Sequence, residues 1–285
     1  MHRRRSPSIP FPVAIAVVLA AAVYTSHLRA AELVQGVRSK LSAADLSSGE
    51  AAVEAYRLAK AAAWVVELRR EIPGEAPETI VPLGAAIEVE EKLRLGAEGR
   101  GGSIRFFEEK LSRAKDPALR SRIRKNLNVL TLEGEAAPDL GGEKTLSGPK
   151  VRLADLRDRP TLLFFWASWC GDCKAEGPKL ARLREKYAPK GLVLIAPTRL
   201  CGSVEANKEA TPAEEKAHVR KVLAESYPGL SGVSVPLDTE TMVRYGASAT
   251  PTYALVDKKG RVSFYSPTRV SEAALTRRIE ALLSE

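Results

Sequence analysis

The strongest chemical signal in this 285-residue chain is a pair of cysteines two residues apart, Cys170-Gly171-Asp172-Cys173. Such a pair can close a short disulfide. Its second thiol can also resolve a mixed disulfide that the first makes with another protein. The attacking species is the thiolate, which a helix N-terminus favours through free N–H groups and its dipole. Here the pair lies between a continuous apolar run over 161–166 and a helical pattern over 174–187. Cys170 therefore stands at the exposed helix entrance, where it is expected to attack, and Cys173 one turn further in is expected to resolve. A C-x-x-C can also be half of a zinc site. However, the three histidines, His2, His27 and His218, are scattered, and no His/Cys group has zinc spacing. Lys174 follows Cys173 where a haem attachment would need histidine. No metal, haem or other cofactor is expected, and His218 is expected to be a solvated surface residue.

The elements around the pair must form a buried sheet. The run 161–166 reads as a strand covered on both faces, and 192–196 as the next strand. A helix between them makes them parallel neighbours. Thr211-Pro212-Ala213-Glu214 is a capping box opening a helix to about residue 227. A short extended piece is expected at 233–237 and a hairpin at 252–257 and 261–265 around Lys258-Lys259-Gly260. A last helix over 271–283 should bury Leu275, Ile279 and Leu282. This order implies an α/β fold, a mixed sheet flanked by helices. Cys201 follows the second strand by five residues, close enough to reach the active-site face as an auxiliary thiol. The favoured alternative is a free thiol packed under the loop 198–211.

Residues 166–178, Trp-Ala-Ser-Trp-Cys-Gly-Asp-Cys-Lys-Ala-Glu-Gly-Pro, closely resemble the thioredoxin superfamily, and within it the TlpA/ResA-like exported disulfide reductases. The resemblance spans about residues 133–285, including Ala137-Pro138-Asp139-Leu140 and Leu153-Ala154-Asp155-Leu156, but not residues 32–132. It implies a thioredoxin-like fold and extracytoplasmic redox work, often the reduction of apocytochrome c or another exported dithiol protein, with a membrane electron donor recharging the pair. Pro178 matches the proline that kinks the family's active-site helix. Thr250-Pro251 matches the cis-proline loop facing the cysteines. Trp169, Gly171, Asp172, Thr250 and Pro251 are the implied substrate contacts. Thioredoxins place a buried aspartate where this chain has Phe164; TlpA/ResA-like proteins instead carry a glutamate at the position of Glu176. Three residues past Cys173, Glu176 shares its helix side. There a raised pKa would let it shuttle the resolving thiol's proton. Asp172 should mildly oppose a Cys170 thiolate by like-charge repulsion.

Residues 1–30 read as an address. His2-Arg3-Arg4-Arg5 precedes an uncharged apolar run of fourteen residues, 11–24, which suits a signal-peptide core and falls short of the ~20 residues of a membrane span. Cleavage is slightly favoured over an N-terminal membrane anchor. A periplasmic or other extracytoplasmic location follows from either. Residues 32–132 read as a small all-helical region, with helices over 48–70, 83–95, 103–114 and, capped by Asp116 before Pro117, to about 130; a loop is expected at 96–102. Trp64 and the Phe106-Phe107 pair look like core or docking surface. The stretch 133–150, with four glycines and two prolines, reads as a linker into the redox domain at 151–285.

The net charge of +9 is spread along the chain, so no nucleic-acid partner is expected. Three cysteines are too few for a disulfide-stapled scaffold. The same residues could serve a dithiol oxidase, and sequence does not separate the two directions. A peroxiredoxin-like peroxidase needs a solitary activated cysteine, which the vicinal pair opposes. A purely binding role would leave the intact cysteine set unexplained.

Overall fold

The computed structural model describes residues 99–285, apart from 113, 115, 116, 142, 143, 206 and 207. The apolar leader, the helical patterns over 48–70 and 83–95, Trp64 and the Asp116 cap lie outside the described residues. From Arg100 to Glu285 the chain forms one compact unit.

Two helices open it, α1 (residues 99–112) and α2 (Pro117–Thr131). Residues 99–102, expected in a loop, are helical. Phe106, Phe107 and Leu111 are buried on α1, and such apolar burial outweighs the poor helix propensity of its first glycines. The glycine-rich segment 133–150 then runs against the sheet. Gly134 donates to the Val262 carbonyl and Val262 to that of Glu135, while Leu146 pairs with Val235.

β1 (Thr161–Phe165) is entirely apolar after its first residue because both faces are covered. Leu162 and Phe164 point into one core and Leu163 and Phe165 into another, as the two-residue strand period requires. The helix expected over 174–187 starts earlier and comes in two pieces, α3 (Gly171–Ala175) and α4 (Gly177–Tyr187). Pro178, which lacks an N–H to bond back along the helix, stands at the break. β2 (Val193–Ile195) pairs with β1 in parallel. The stretch expected to be a bare loop carries a two-stranded excursion, β3 (Ser203–Glu205) and β4 (Lys208–Glu209). The capping box at Thr211 and Glu214 opens α5 (Pro212–Ser226). Residues 233–237 are extended but join the sheet side only through single bridges, Ser234 to Ile195 and Leu237 to Thr198. Pro236 has no N–H to extend a ladder.

A helix not anticipated follows, α6 (Thr239–Arg244). Asp238 caps it, its Oδ2 accepting the Thr241 N–H at 2.7 Å. β5 (Thr252–Val256) and β6 (Val262–Ser266) form the expected hairpin, and α7 (Glu272–Ser284) buries Leu275, Ile279 and Leu282. The four-stranded sheet runs β2-β1-β5-β6, with β5 antiparallel to both neighbours. The mixed sheet flanked by helices is the fold class that the sequence implies.

Candidate active site

Cys170 and Cys173 are joined in a disulfide, with their Cα atoms 5.2 Å apart. They sit at the C-terminal end of β1, where the chain is held in place before it turns. The Trp166 indole donates to the Ala196 carbonyl at 3.0 Å, and the Thr198 hydroxyl donates to the Trp166 carbonyl at 2.8 Å. Cys170 is the N-cap of α3, and its Sγ accepts the Cys173 N–H at 3.1 Å. Its backbone N–H donates to the Ala167 carbonyl. Cys170, expected to stand exposed at the helix entrance, is buried with 4% of its residue surface exposed, because the Thr250 backbone lies against it; Cys173 is fully buried.

Of the implied contact residues, Thr250 touches the pair, and Trp169, Gly171 and Asp172 adjoin it along the chain. The Thr250–Pro251 bond is cis, and the Thr250 carbonyl oxygen lies 3.4 Å from Cys170 Sγ. Trp169 is 56% exposed beside Cys170. Gly171 and Asp172 are exposed as well, whereas Pro251 is buried. The Thr250 hydroxyl is buried with no hydrogen-bond partner. Cys201 is a free, exposed thiol, so the expected packing under its loop does not occur. Its backbone N–H and that of Gly202 both bond the buried Glu215 carboxylate, at 2.6 and 2.8 Å, which holds the chain there and leaves the side chain outside.

Glu176 is buried at 2% exposure. Its carboxylate receives Lys179 Nζ and the Tyr253 hydroxyl on Oε2, and Arg269 Nε on Oε1 at 3.1 Å. The raised pKa expected from burial is therefore corrected. Burial pushes the group up, but the bonds from Lys179, Tyr253 and Arg269 outweigh it and hold the pKa below its ordinary value. Tyr253 pays the opposite way: burial first, then the bond to Glu176, push its hydroxyl pKa far up. Phe164 fills the place of the absent aspartate, its ring 5.4 Å from that of Tyr253 and 6.0 Å from that of Tyr227. Sequence reasoning missed Lys179, Tyr253 and Arg269. The three-residue spacing from Glu176 pointed to Lys179; nothing local pointed to the other two. Asp172, expected to oppose a Cys170 thiolate mildly, has Arg269 Nη1 3.5 Å away.

The chain also has relatives among known proteins. The family model described as Redoxin matches residues 132–277. The chain is 32% identical over 129 residues to the thioredoxin-like protein YneN of Bacillus subtilis, covering 45% of this chain and 67% of that protein. It is 30% identical over 117 residues to the thiol-disulfide oxidoreductase ResA of Bacillus cereus, covering 41% of this chain and 60% of ResA. Among solved structures, a putative thiol:disulfide interchange protein DsbE from Chlorobium tepidum aligns with a TM-score of 0.41 at 28% identity, over 53% of this chain and 97% of that one.

Proposed function

From the premise that this chain belongs to the Redoxin family, as a TlpA/ResA-like member of the thioredoxin superfamily, we propose that it reduces disulfides of exported proteins through Cys170 and Cys173. The observation that carries this is the place of Cys170 at the start of the helix, where its sulfur accepts the Cys173 N–H at 3.1 Å. A sulfur that already accepts an N–H at a helix start is stabilised as a thiolate once the disulfide opens.

In the reduced protein, the Cys170 thiolate attacks one sulfur of a substrate disulfide. A Cys170–substrate bond forms, and the other substrate sulfur leaves as a thiolate that takes a proton from solvent. Cys173, deprotonated, then attacks Cys170 Sγ, and the second substrate sulfur leaves. The substrate gains two electrons, and the pair returns to the disulfide. Trp169, Gly171, Asp172, Thr250 and Pro251 line the approach to Cys170. Glu176, held by three donors, serves as a fixed charge beneath the pair rather than as a proton carrier. Exported dithiol proteins, apocytochrome c among them, are the proposed substrates, and a membrane electron donor is proposed to restore the dithiol. The basic, apolar N-terminus is proposed to direct export, as a cleaved signal or as an anchor. No helix among the described residues is long and apolar enough to cross a membrane.

The test is trapping. Cys173→Ser should accumulate a mixed disulfide with substrate and Cys170→Ser should not; the reverse pattern overturns the assignment of the two roles. Equilibration with glutathione sets the direction. A pair that stays oxidised in a glutathione buffer in which most dithiols are reduced supports a reductase, and one that is readily reduced there supports an oxidase.

A further inference from the structure

We propose that Arg269 is a positioning residue for the redox pair: it ties Asp172, inside the C-x-x-C turn, to the buried Glu176 behind it, and so sets how readily Cys170 carries a negative charge. This rests on the exchange chemistry proposed above. Arg269 lies in the loop between β6 and α7 and turns two sides of its guanidinium to two carboxylates. Nε donates to Glu176 Oε1 at 3.1 Å, and Nη1 stands 3.5 Å from Asp172 Oδ1. Arginine suits this because its planar fork offers separate donors in fixed directions, which a lysine does not.

The loop is held so that the fork arrives in place. Lys179 Nζ bonds both Glu176 and, at 2.5 Å, the carbonyl of Val270, the residue after Arg269. Six groups therefore face this site from five elements: Asp172 and Glu176 at α3 and its end, Lys179 on α4, Tyr253 on β5, Arg269 on the loop, and Tyr227 after α5, whose hydroxyl pKa is raised by burial and then by the Glu176 charge. The tyrosines are neutral, because burial pushes both hydroxyls far above their ordinary value. Two carboxylates then balance two cations. Without Arg269, Glu176 keeps Lys179, but Asp172 loses its ion pair among the described residues and becomes an uncompensated negative charge two residues from Cys170.

The consequence for exchange is definite. When an external dithiol reduces the Cys170–Cys173 bond, the donor loses two electrons and becomes a disulfide, and the pair takes up two electrons and two protons. Cys170 can then release its proton to solvent. A cation that neutralises Asp172 favours that release and so favours the reduced form. The pairing with Asp172 is exposed, at 54% for Arg269 and 67% for Asp172, so the effect is modest.

The experiment uses the full chain with Arg269→Gln, Asp172→Asn, the double variant and Arg269→Lys. Iodoacetamide labelling of Cys170 is followed across pH by peptide-resolved mass spectrometry, which separates it from Cys201. Each protein is also equilibrated with glutathione. Arg269→Gln should slow labelling below the titration midpoint about two- to fivefold, raise the midpoint and shift the glutathione equilibrium toward the disulfide by a similar factor. Asp172→Asn should move all three the other way. In the Asp172→Asn background Arg269→Gln should do less, because Arg269 is no longer drawn toward the cysteines. Arg269→Lys should restore part of the wild-type midpoint. An unchanged midpoint and equilibrium in Arg269→Gln, or the same shift with and without Asp172, overturns the proposal while the wild type still cycles. A wild-type disulfide that does not exchange with glutathione overturns the exchange reading itself.

Discussion

The two faces of the sheet are covered by different kinds of sequence. Over the face that takes Leu162, Phe164, Tyr253 and Leu255, regular helices bring apolar side chains at helical spacing: Leu180, Leu183 and Tyr187 from α4, Val219, Val222 and Leu223 from α5, and Leu275, Ile279 and Leu282 from α7. The opposite face takes Leu163, Phe165, Ala254 and Val256. It is covered by Met242 from the short α6, by Tyr245 at that helix's end, by Leu132 and Leu140 from a turn and irregular chain, and by Leu153 from a single 3-10 turn, Leu153–Leu156. The second face is stitched by single hydrogen bonds from side chains to backbone. Ser121 donates to Met242 O, Asn128 to Arg244 O, and the Tyr245 hydroxyl to Pro138 O at 2.6 Å. Cys170 and Cys173 belong to the first, periodic face. The chemistry thus sits on a layer held by apolar contacts at helical spacing, and its backing adds bonds between particular atoms to an apolar cluster of its own. Mutations should separate the two: chemistry lost without stability on one side, stability lost without chemistry on the other.

The largest effect is expected at the cysteines. Cys170→Ser should abolish disulfide exchange in an insulin-reduction assay and leave the fold intact by circular dichroism. Residual exchange above the uncatalysed rate would show that Cys201 or Cys173 can act alone. On the stitched face the largest effect falls at Gly246. Its φ is +60°, and a Cβ there would lie 2.3 Å from the backbone nitrogen of Lys125, where α2 crosses. Gly246→Ala combines a left-handed backbone with overpacking against main chain and should cost about 3 kcal/mol in urea unfolding. A loss under about 1 kcal/mol would mean that α2 yields easily and that the second face is not rigid.

Glu176 tests the boundary, since it is buried one helical turn past Cys173 but held by polar bonds. Glu176→Gln leaves Lys179 and Arg269 without their shared anion. It should cost about 2 kcal/mol at neutral pH, less than a fully enclosed pair because Arg269 is half exposed. The folded pKa is lowered, so the carboxylate's contribution is complete above the unfolded value of about 4.3 and is lost as pH falls through the folded one. The stability gap between wild type and variant should accordingly be flat near neutrality and close in acid. A gap that widens in acid would contradict the ionised assignment.

What could be read in the sequence follows the same division. The strand 161–165, the capped helix from Pro212, the hairpin and the buried triad of α7 were all legible because period and cap residues are local signals. The cysteine motif was legible for the same reason. Asp238 and Thr241 do mark a helix start, but α6 is six residues long and too short to show a period. The partners of Glu176 were hidden, because Tyr253 and Arg269 lie 77 and 93 residues away and only the closed sheet brings them in. That is also why the pKa of Glu176 was expected to rise: burial was inferable from helix position, and the compensating donors were not.

The smallest of these effects is also the cleanest test of separation. Asn128 is buried on α2, and its Nδ2 donates at 3.0 Å to the carbonyl of Arg244, the last residue of α6. A carbonyl at a helix end has no partner within its own helix, so this bond satisfies a group that would otherwise need water. Water is close, because Asn128, Thr131, Arg124 and Arg244 line an open cleft of about 410 Å³. Asn128→Ala should therefore cost only about 1 kcal/mol, with water taking over the carbonyl. Asn128→Asp should cost more, since it turns an acceptor toward an acceptor. Both should lower the urea midpoint with an unchanged slope, as expected when stability falls without a change in the surface exposed. The labelling rate of Cys170 should stay at the wild-type value in each. A change in that rate matching the loss of stability would mean that α2 and α6 reach the cysteines through the sheet, and the two faces would have to be treated as one cooperative body.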